Sequence, residues 1–415
     1  MKFSLIEIII TFFLINYINC QIDTTKENEI KAFISLNKEE KLTTEKKFEI
    51  SENPKISIII PIYNNEQSIT STIRSIQNQN LLDIEIVCIN DHSNDTSLKI
   101  LKNLQKNDPR IGVIRNKSNR GILYNLIDGA MQSSGEYVLF MYPGDYLSRS
   151  DALLKLYDIA TKDYAKKLEI VNFQACDFEI INGEIHIKNL ISEIDKSNLT
   201  TMIRQPDIEN YYYNNFKNRK YEVIFDKMYR KAVIKRMEKF IGPNIYNLNI
   251  NYFHEYILNF ANIVKAKSLA YIEDIFYCHL INNKINNEWE IIDDKLKTPQ
   301  ITNKNFIDYI LITERIFDLT SEEVKSIQLR ENILKKIGDE QILNALARSL
   351  YFDRYISLYE QLIKWKLIDK ETKKRNKQIV KYVMVYELDP EKKFGYITEE
   401  EDDDEEDDFN GYDYL

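Results

Sequence analysis

Residues 56–65, ISIIIPIYNN, decide the fold of this chain. They begin as a short, nearly unbroken run of β-branched apolar side chains, and a second such run, IEIVCIND, follows at residues 84–91. Runs of this kind are typical of strands buried on both faces of a parallel sheet. In open α/β sheets ligands bind just beyond the carboxyl ends of the strands, so the pattern places Asn64 and Asp91 at a binding site.

Strand-like and helix-like segments alternate from Pro54 onward. The segments after each strand carry apolar residues at helical spacing, as at Ile69, Ile73 and Ile76. The pattern predicts strands at residues 56–61, 84–90, 111–115 and 137–141, and helices near residues 66–79, 96–107, 121–133 and 152–162. Four such repeats imply an α/β fold with a mostly parallel sheet, right-handed crossovers and flanking helices.

Beyond residue 165 the pattern is mixed, and the 415 residues leave room for a second structural region. Strands are predicted at residues 168–173, 221–230 and 269–280, a hairpin at 177–187, and helices at 231–240 and 253–264. The later part of the chain has helical period and composition. We therefore expect a C-terminal α-helical region over residues 291–395.

The two ends of the chain differ from its body. Residues 1–20 combine an early lysine with a short apolar run and end in a small residue, which predicts a secretory signal peptide. An uncleaved type II membrane anchor is the alternative. Residues 21–53 are predicted to be a polar linker with a little helix, and residues 396–415 a disordered acidic tail. The signal would place the protein in the ER or Golgi lumen or outside the cell.

The net charge of -9 comes from the acidic tail. Residues 399–408 and Asp413 together carry eleven carboxylates, and the chain without them has a net charge of +2. A body this close to neutral has no basic surface of the kind that binds nucleic acid. We therefore expect no nucleic-acid partner, and membrane contact only if the N-terminal segment is retained.

Three cysteines, an odd number, remain after residue 20, so at least one is unpaired. Cys88 lies within a predicted strand and is interpreted as a small core residue, whereas Cys176 and Cys278 lie far along the chain. This wide spacing fits no zinc site. N-glycosylation sequons occur at Asn94, Asn116 and Asn198, of which Asn198 is the preferred acceptor.

Three segments in a fixed order resemble a known family. They are SIIIPIYN at residues 57–64, INDHSND at residues 89–95 and GEYVLF at residues 135–140. Together they resemble glycosyltransferase family 2, which comprises inverting enzymes that use nucleotide-sugars. The resemblance covers roughly residues 54–282. It implies that residues 54–290 form a GT-A-like, Rossmann-like domain.

The resemblance implies a nucleotide-diphospho-sugar donor, most simply a UDP-sugar. The family's first loop closes over the nucleotide base, which assigns Pro61, Tyr63 and Asn64 to donor binding. In the family pattern D-D-G-S-x-D, the second carboxylate binds the uracil or ribose, and here that residue is Asp91. An ordinary strand-end role for Asp91 is the alternative. Asp95 would cap the helix that follows.

The resemblance also implies Mn²⁺ or Mg²⁺, which the family holds against the diphosphate with an Asp-x-Asp motif. Here Tyr142 and Gly144 stand at the two carboxylate positions, and only Asp145, one place further on, is acidic. A phenol and a bare backbone are poor ligands for these ions, so Asp145 is the single candidate metal ligand. A cation of the family is replaced by Leu126.

Three basic residues could hold the diphosphate in place of that missing cation. They are Arg120, Arg149 and Lys227. Neutralising the departing nucleotide diphosphate is a major part of catalysis in this type of displacement. The sequence alone does not place any of the three near the donor.

On the acceptor side, FDKMYR at residues 225–230 is similar to the family's W-N-K-L-Y-R segment. The family has a Glu-Asp pair about 25 residues later, and one member of the pair is the catalytic base. The matching residues are His254 and Glu255. Inversion needs one base to take the acceptor proton, so Glu255 is the candidate base, with His254 beside it. The alternative is a solvated carboxylate at a helix start.

Two functions remain open at this point. The first is an enzyme, a hexosyl- or N-acetylhexosaminyl-transferase that moves a sugar to a hydroxyl group of a glycan, protein or lipid. The second is a catalytically impaired GT-A protein that binds a nucleotide-sugar, a glycan or a protein partner. The replacements at Tyr142, Gly144 and Leu126 motivate the second.

Overall fold

The computed structural model describes residues 24–38, 48–162, 167–191, 202–205, 207–208, 223–243, 248–251, 254–281, 291–292, 295–296, 312, 315–316 and 319. These residues belong to one compact unit that extends to Ile333. The predicted signal peptide, the acidic tail, the sequon at Asn198 and most of the C-terminal helical region lie outside the described residues.

Helices and strands alternate through the first half of the chain, as the sequence predicts. Helix α1 spans Thr24–Lys38. The alternating part comprises β1 (Ile56–Ile62), α2 (Ile69–Gln77), β2 (Ile84–Asn90), α3 (Ser97–Asn107), β3 (Ile111–Arg115), α4 (Ile122–Gln132) and β4 (Tyr137–Phe140). Each of these elements lies within a few residues of its predicted position.

The second half of the domain is mixed. It comprises β5 (Tyr146–Leu147), α5 (Ala152–Thr161), β6 (Ile170–Ile181), β7 (Glu184–Leu190), β8 (Ile203–Arg204), β9 (Lys227–Arg230), α6 (Lys231–Ile241), α7 (His254–Lys265) and β10 (Ser268–Leu280). Strands β6 and β7 form the predicted hairpin, and its turn at Asn182 and Gly183 has positive φ angles. This is the backbone that Asn-Gly turns adopt.

One curled sheet organises the domain. Its strand order is β3-β2-β1-β4-β9-β6-β10-β5, with β7 paired to β6 and β8 paired to β10. Strand β1 pairs in parallel with β2 and β4, β2 pairs in parallel with β3, and β6 pairs in parallel with β10. The carboxyl ends of β1 to β4 therefore lie at one edge. The α/β, mostly parallel fold is confirmed.

The apolar run at residues 56–62 is buried at every position of β1. Helix α2 covers one face of the sheet with Ile69, Ile73 and Ile76, all of which are 0% exposed. Each fully buried isoleucine contributes roughly 1.5–3 kcal/mol to folding. Burial on both faces explains why β1 shows no alternation of apolar and polar residues.

Two segments lie outside the sheet. Within the expected linker at residues 21–53, the small amount of helix expected there is helix α1, which buries Ile30 and Ile34 because their spacing places them on one helical face. Within the expected helical region at residues 291–395, Ile291–Ile292 pairs with Lys295–Leu296 in a short antiparallel ladder, as a two-residue connection favours. Among the described helices, none combines the length and apolar character needed to cross a bilayer.

A close backbone approach joins the start of β4 to β1. The Gly135 amide donates to Ser57 Oγ at 2.8 Å and to Glu85 Oε1 at 3.0 Å. A Cβ atom at Gly135 would lie 2.7 Å from the Ser57 backbone nitrogen, a contact that real Cβ atoms do not make. The strand can therefore meet β1 only if residue 135 has no side chain.

We expect Gly135→Ala to lower the free energy of unfolding by roughly 1–3 kcal/mol, because the overlap with Ser57 involves backbone atoms. Gly112→Ala is the matched control, because a Cβ there would meet Ile86 O at 3.8 Å, an ordinary contact. The control should change stability by less than about 0.5 kcal/mol. Urea denaturation measures both variants, and equal effects would contradict the packing argument.

Candidate functional site

The loops that follow β1 and β2 are held together by side-chain hydrogen bonds. The Asn64 Oδ1 atom accepts from the Asn94 amide at 2.8 Å, and the Asn64 amide donates to Ser93 Oγ at 3.1 Å. The Glu66 amide donates to Asp95 Oδ2 at 3.0 Å. This ladder fixes the first loop while Tyr63 remains 47% exposed at its tip, just past the buried Pro61.

Asp95 also stabilises the start of helix α3, as expected. Its Oδ1 atom accepts from the Ser97 amide at 2.9 Å. Burial pushes the pKa of the Asp95 carboxyl up, but hydrogen bonds from Ser97 and Glu66 outweigh this effect and lower the pKa. The carboxylate is therefore ionised at neutral pH, and its charge suits the helix N-terminus.

Two residues of these loops have left-handed backbones. Asn64 has φ 55° and His92 has φ 62°. His92 stands where the family pattern has glycine, the residue that adopts this region without steric cost. Backbone strain of this kind tends to cluster at functional sites, because the surrounding structure must hold it in place.

The Asp91 carboxylate is only 2% exposed and anchors the loop that follows β3. Its Oδ1 atom accepts from Asn116 Nδ2 and from the Arg120 amide, both at 2.8 Å. Its Oδ2 atom accepts from the Gly121 amide at 3.0 Å. The structure thus places Asp91 at the expected edge, with both oxygens bound to protein donors.

Asn116 shows how this edge uses a residue that the sequence marks as a sequon. Its Nδ2 atom donates to Asp91 Oδ1 at 2.8 Å and to Asn125 Oδ1 at 2.7 Å. Both amide hydrogens are therefore engaged, and a glycan at this nitrogen would replace one of them and remove one of the two bonds. No pattern in the sequence indicated that Asn116 holds Asp91.

A distant segment completes the start of helix α4. The Leu123 amide donates to Ile250 O at 3.1 Å, and the Ile122 amide donates to Asn251 Oδ1 at 3.2 Å. Gly121, at φ 84°, leaves no space for a Cβ atom, which would lie 2.7 Å from the Ile250 nitrogen. Because α7 begins three residues after Asn251, this contact fixes where the candidate base stands.

Tyr142, at the end of β4, meets the first turn of α7. Its hydroxyl group lies 2.8 Å from His254 Nε2 and donates to Glu255 Oε1 at 2.9 Å. The single hydroxyl hydrogen is used on Glu255, so the network assigns the hydrogen of the neutral imidazole to Nε2. The result is a directed chain from His254 through Tyr142 to Glu255.

Burial sets the protonation states in this chain. It lowers the pKa of the His254 imidazole to about 3, so the ring is neutral at any physiological pH. Burial also raises the pKa of Tyr142 well above its ordinary value, and the Glu255 charge raises it further. Tyr142 is therefore a neutral phenol. A hydrogen bond to the Asn251 backbone favours the protonated His254 ring and raises its pKa, but burial outweighs this effect.

Both carboxylate oxygens of Asp145 form hydrogen bonds within the protein, which leaves them unavailable to the nucleotide-sugar donor. Its Oδ2 atom accepts from the Tyr277 hydroxyl at 2.6 Å and lies 3.1 Å from His279 Nδ1. Its Oδ1 atom accepts from the Leu280 amide at 2.9 Å. The side chain is 2% exposed, so it fastens the turn after β4 to the end of β10. Sequence reasoning did not find this role, because the partners are more than 130 residues away.

These residues do not fit the divalent cation that the family implies. The Asp145 oxygens are engaged, Gly144 has no side chain, and the Tyr142 hydroxyl serves His254 and Glu255. Within the part of the chain that the structure describes, no group of three or more His, Cys, Asp or Glu side chains could hold a metal ion.

The candidate cations are also engaged within the protein. Lys227 is 0% exposed and donates to Val223 O at 2.7 Å and to Asp226 Oδ1 at 2.5 Å. The Arg120 guanidinium lies 4.1 Å from the ring centre of Tyr124, while its backbone amide holds Asp91. The third candidate, Arg149, forms an ion pair with Asp151 at the start of α5. Leu126 is fully buried.

Comparison with known proteins decides the family. The sequence profile described as glycosyl transferase family 2 matches residues 57–288, which is more than half of the chain. This chain belongs to glycosyl transferase family 2. The resemblance carried by the three early segments is thereby confirmed, and the matched region is close to the one expected from the sequence.

Curated relatives of this family 2 chain are bacterial. A GalNAc(5)-diNAcBac-PP-undecaprenol beta-1,3-glucosyltransferase of Campylobacter jejuni is 39% identical over 113 residues, which are 27% of this chain and 36% of that protein. An uncharacterized glycosyltransferase of Haemophilus influenzae is 27% identical over 346 residues, 78% of this chain and 98% of the relative. The chain thus spans little more than a third of the Campylobacter enzyme.

Solved structures confirm the fold of this family 2 domain. Residues 1–349 of S. aureus TarS in complex with UDP-GlcNAc superpose with a TM-score of 0.52 at 18% identity. The superposition covers 75% of this chain and 81% of TarS. At this identity the likeness shows a shared GT-A-like architecture.

Because His254 is buried, we expect its titration to make one term of the free energy of unfolding depend on pH. Its folded pKa of about 3 lies below the ordinary value of 6.5, so between these values the unfolded chain binds a proton that the folded chain does not. This term is zero above about pH 6.5 and increasingly destabilises the fold as the pH falls towards 3, by at most about 1.4 kcal/mol per pH unit.

We expect His254→Gln, whose amide can replace the Nε2 donor, to remove this term. The difference in stability between variant and wild type should then shift in favour of the variant as the pH falls from 7 to 4. Urea denaturation across that range measures the difference. A constant difference would show that His254 does not lose its proton on folding.

Proposed function

We propose that this protein is an inverting glycosyltransferase that moves a sugar from a nucleotide-diphospho-sugar to an acceptor hydroxyl group. The observation that carries the proposal is the contact between Tyr142 and Glu255 at the carboxyl-end edge of the sheet. The half-buried Glu255 carboxylate is held there against the turn that follows β4. Family membership supports the transferase class.

Glu255 is the proposed catalytic base. Inversion requires a single displacement, in which the acceptor oxygen attacks the anomeric carbon and loses its proton to one base. Tyr142 donates to Oε1 of Glu255 and orients the carboxylate, and His254 in turn orients Tyr142. Because the imidazole is neutral, His254 adds no positive charge that would weaken the base.

The donor is proposed to be a UDP-sugar held by the loops that follow β1 and β2. TarS was solved with UDP-GlcNAc, which supports this donor class for the same architecture. The exposed Tyr63 ring can stack on a nucleotide base, because the interlocked loops hold it at the site edge. Asp91 acts indirectly, by fixing the backbone of residues 116–121 around that edge.

The acceptor is proposed to be a hydroxyl group on a glycan, a lipid-linked glycan or a polymer. The names of two relatives support this range, since one acts on an undecaprenol-linked glycan and the other, from Bacillus spizizenii, on poly(ribitol-phosphate). We further propose that transfer takes place in the secretory pathway, on the basis of the N-terminal apolar segment.

A second candidate function rests on the missing positive charge. Both oxygens of Asp145 are bonded to β10, Leu126 is uncharged, and Lys227 is buried and paired with Asp226, so none of the three brings positive charge to a departing diphosphate. A GT-A protein that binds nucleotide-sugar or glycan without transfer would fit these facts. Turnover assays with and without Glu255 separate this candidate from the first.

We expect Glu255→Gln to lower turnover by roughly 10²- to 10⁴-fold, because an amide cannot accept the acceptor proton. UDP affinity, measured by calorimetry, should stay within about twofold of wild type, because the base does not touch the nucleotide. Glu184→Gln is the matched control, since that carboxylate is 82% exposed on β7. Turnover that survives in Glu255→Gln would remove this residue from the mechanism.

Tyr142→Phe tests the orienting contact in the same assay. Loss of a hydrogen bond to the charged carboxylate raises the pKa of that carboxyl, so the acidic limb of the rate profile should move to higher pH. An unchanged limb together with unchanged turnover would show that the hydroxyl group does not act on Glu255.

Nucleotide binding should not depend on a divalent cation. We expect the UDP dissociation constant to differ by less than about twofold between Mn²⁺ and EDTA, because Asp145 is fully bonded to β10. Asp145→Asn should lower the melting temperature, because an amide cannot accept all three contacts. Mn²⁺ that strengthens UDP binding tenfold in wild type but not in Asp145→Asn would instead identify Asp145 as a metal ligand.

A further inference from the structure

Two of the three cysteines of the folded domain face each other across neighbouring strands. Cys176 of β6 and Cys278 of β10 are register partners, and their Sγ atoms lie 3.3 Å apart. Neighbouring strands are about 4.8 Å apart, which lies within the Cα separations that disulfides use, about 4.4–6.8 Å. The sulfur atoms need to approach by only about 1 Å, with no change of register.

Irregular pairing between β10 and β6 places the two cysteines opposite each other. Ile272 pairs with Phe173, whereas Cys278 pairs with Cys176, so β10 advances six residues while β6 advances three. With a regular register from Phe173, Ile275 would stand opposite Cys176. Bulges are positioned features of a sheet that re-aim side chains, and here they bring one thiol to another.

The two thiols lie among apolar side chains, so metal ligation is not an alternative to their pairing. Both cysteines are 0% exposed in an apolar cluster with Ile30, Ile34 and Phe178. Metal ligation needs further ligands, and among the described residues no group of three or more ligating side chains exists. Cys88 is separate, because it belongs to the main core on β2.

We propose that Cys176 and Cys278 form a disulfide when the chain folds in an oxidising compartment. The oxidant is a disulfide of the glutathione or oxidoreductase class. One cysteine thiolate attacks it, a mixed disulfide forms, and the second thiolate displaces the remaining thiol. The two cysteines lose two electrons and two protons, and the oxidant leaves as two thiols. The proposal rests on the proposed secretory location, not on transferase activity.

The bond forms during folding, before β10 closes on β6. Burial raises the pKa of the Cys278 thiol well above its ordinary value, and the adjacent Cys176 raises it further. The reactive thiolate is therefore scarce once the sheet has formed. A folded, reduced domain should resist oxidants that act readily on the unfolded chain.

The disulfide would stabilise the part of the sheet that holds the candidate site. Cys278 lies between Tyr277 and His279, both of which contact Asp145 in the turn after β4. The bond would join residues 102 positions apart, which removes much chain entropy from the unfolded state. We expect the oxidised protein to melt roughly 5–15 °C above the reduced protein.

The test uses the full chain, unfolded and then refolded by dilution into a buffer of reduced and oxidised glutathione. Exchange is stopped with acid, the monomer is isolated, and its free thiols are alkylated in denaturant with excess maleimide before digestion without reduction and mass spectrometry. The expected result is one cross-linked peptide that contains Cys176 and Cys278, with Cys20 and Cys88 alkylated. Chain that is folded first and then given the same buffer should oxidise at least about tenfold more slowly.

Two variants complete the design. Cys88→Ala should keep the cross-linked peptide and its raised melting temperature. Cys278→Ala should lose both, and its Cys176 should be fully alkylated. The proposal is overturned if the refolded wild type carries two alkylated thiols at 176 and 278, or if Cys88 is the bonded partner. UDP binding, measured on the oxidised and reduced samples, tests the proposed function separately.

Discussion

The candidate site depends on the hydrogen bonds that the buried Asp91 carboxylate accepts. A charge this far from water is stable only when hydrogen bonds satisfy both oxygens, and the side chain of Asn116 and the amides of Arg120 and Gly121 do so. These donors fix the loop before α4 and so the place where Ile250 and Asn251 dock on that helix. Helix α7 begins three residues later with the candidate base. Hydrogen bonds thus connect the Asp91 carboxylate, through the start of α4, to the segment just before α7.

In the turn after β4, side chains that cannot bind a cation replace the carboxylates that the family uses for that purpose. Where the family holds a cation with carboxylates, Tyr142 places a neutral hydroxyl group against Glu255, and Asp145 is bonded to β10. A phenol with a raised pKa is a hydrogen-bond donor and a poor metal ligand. In the proposed mechanism this position orients the base and does not hold a cation against the donor. The leaving group of that mechanism then lacks a nearby positive charge.

The sequence predicted the repeating half of the fold well and the contacts within the site poorly. Local period and composition located β1 to β4 and the helices between them, because β1, β2 and β4 bury both faces and the partly exposed β3 keeps the same apolar character. The same reasoning expected only a little helix in the linker and did not indicate that α1 packs against the domain through Ile30 and Ile34. It also assigned Lys227 to the donor, whereas the structure pairs this residue with Asp226 inside the sheet. A residue type at a family position does not determine the direction of its side chain.

By itself, the sequence determined the parallel strands and the edge of the sheet at which their loops meet. It also determined the family and the position of His254 and Glu255 at the start of a helix. These depend on short-range patterns that a few residues encode. Only the tertiary structure decided that Tyr142 reaches Glu255 across 113 residues and that two irregularities in β10 bring Cys278 opposite Cys176. Such contacts join segments with no shared local pattern, so they arise only when the whole sheet fixes its register.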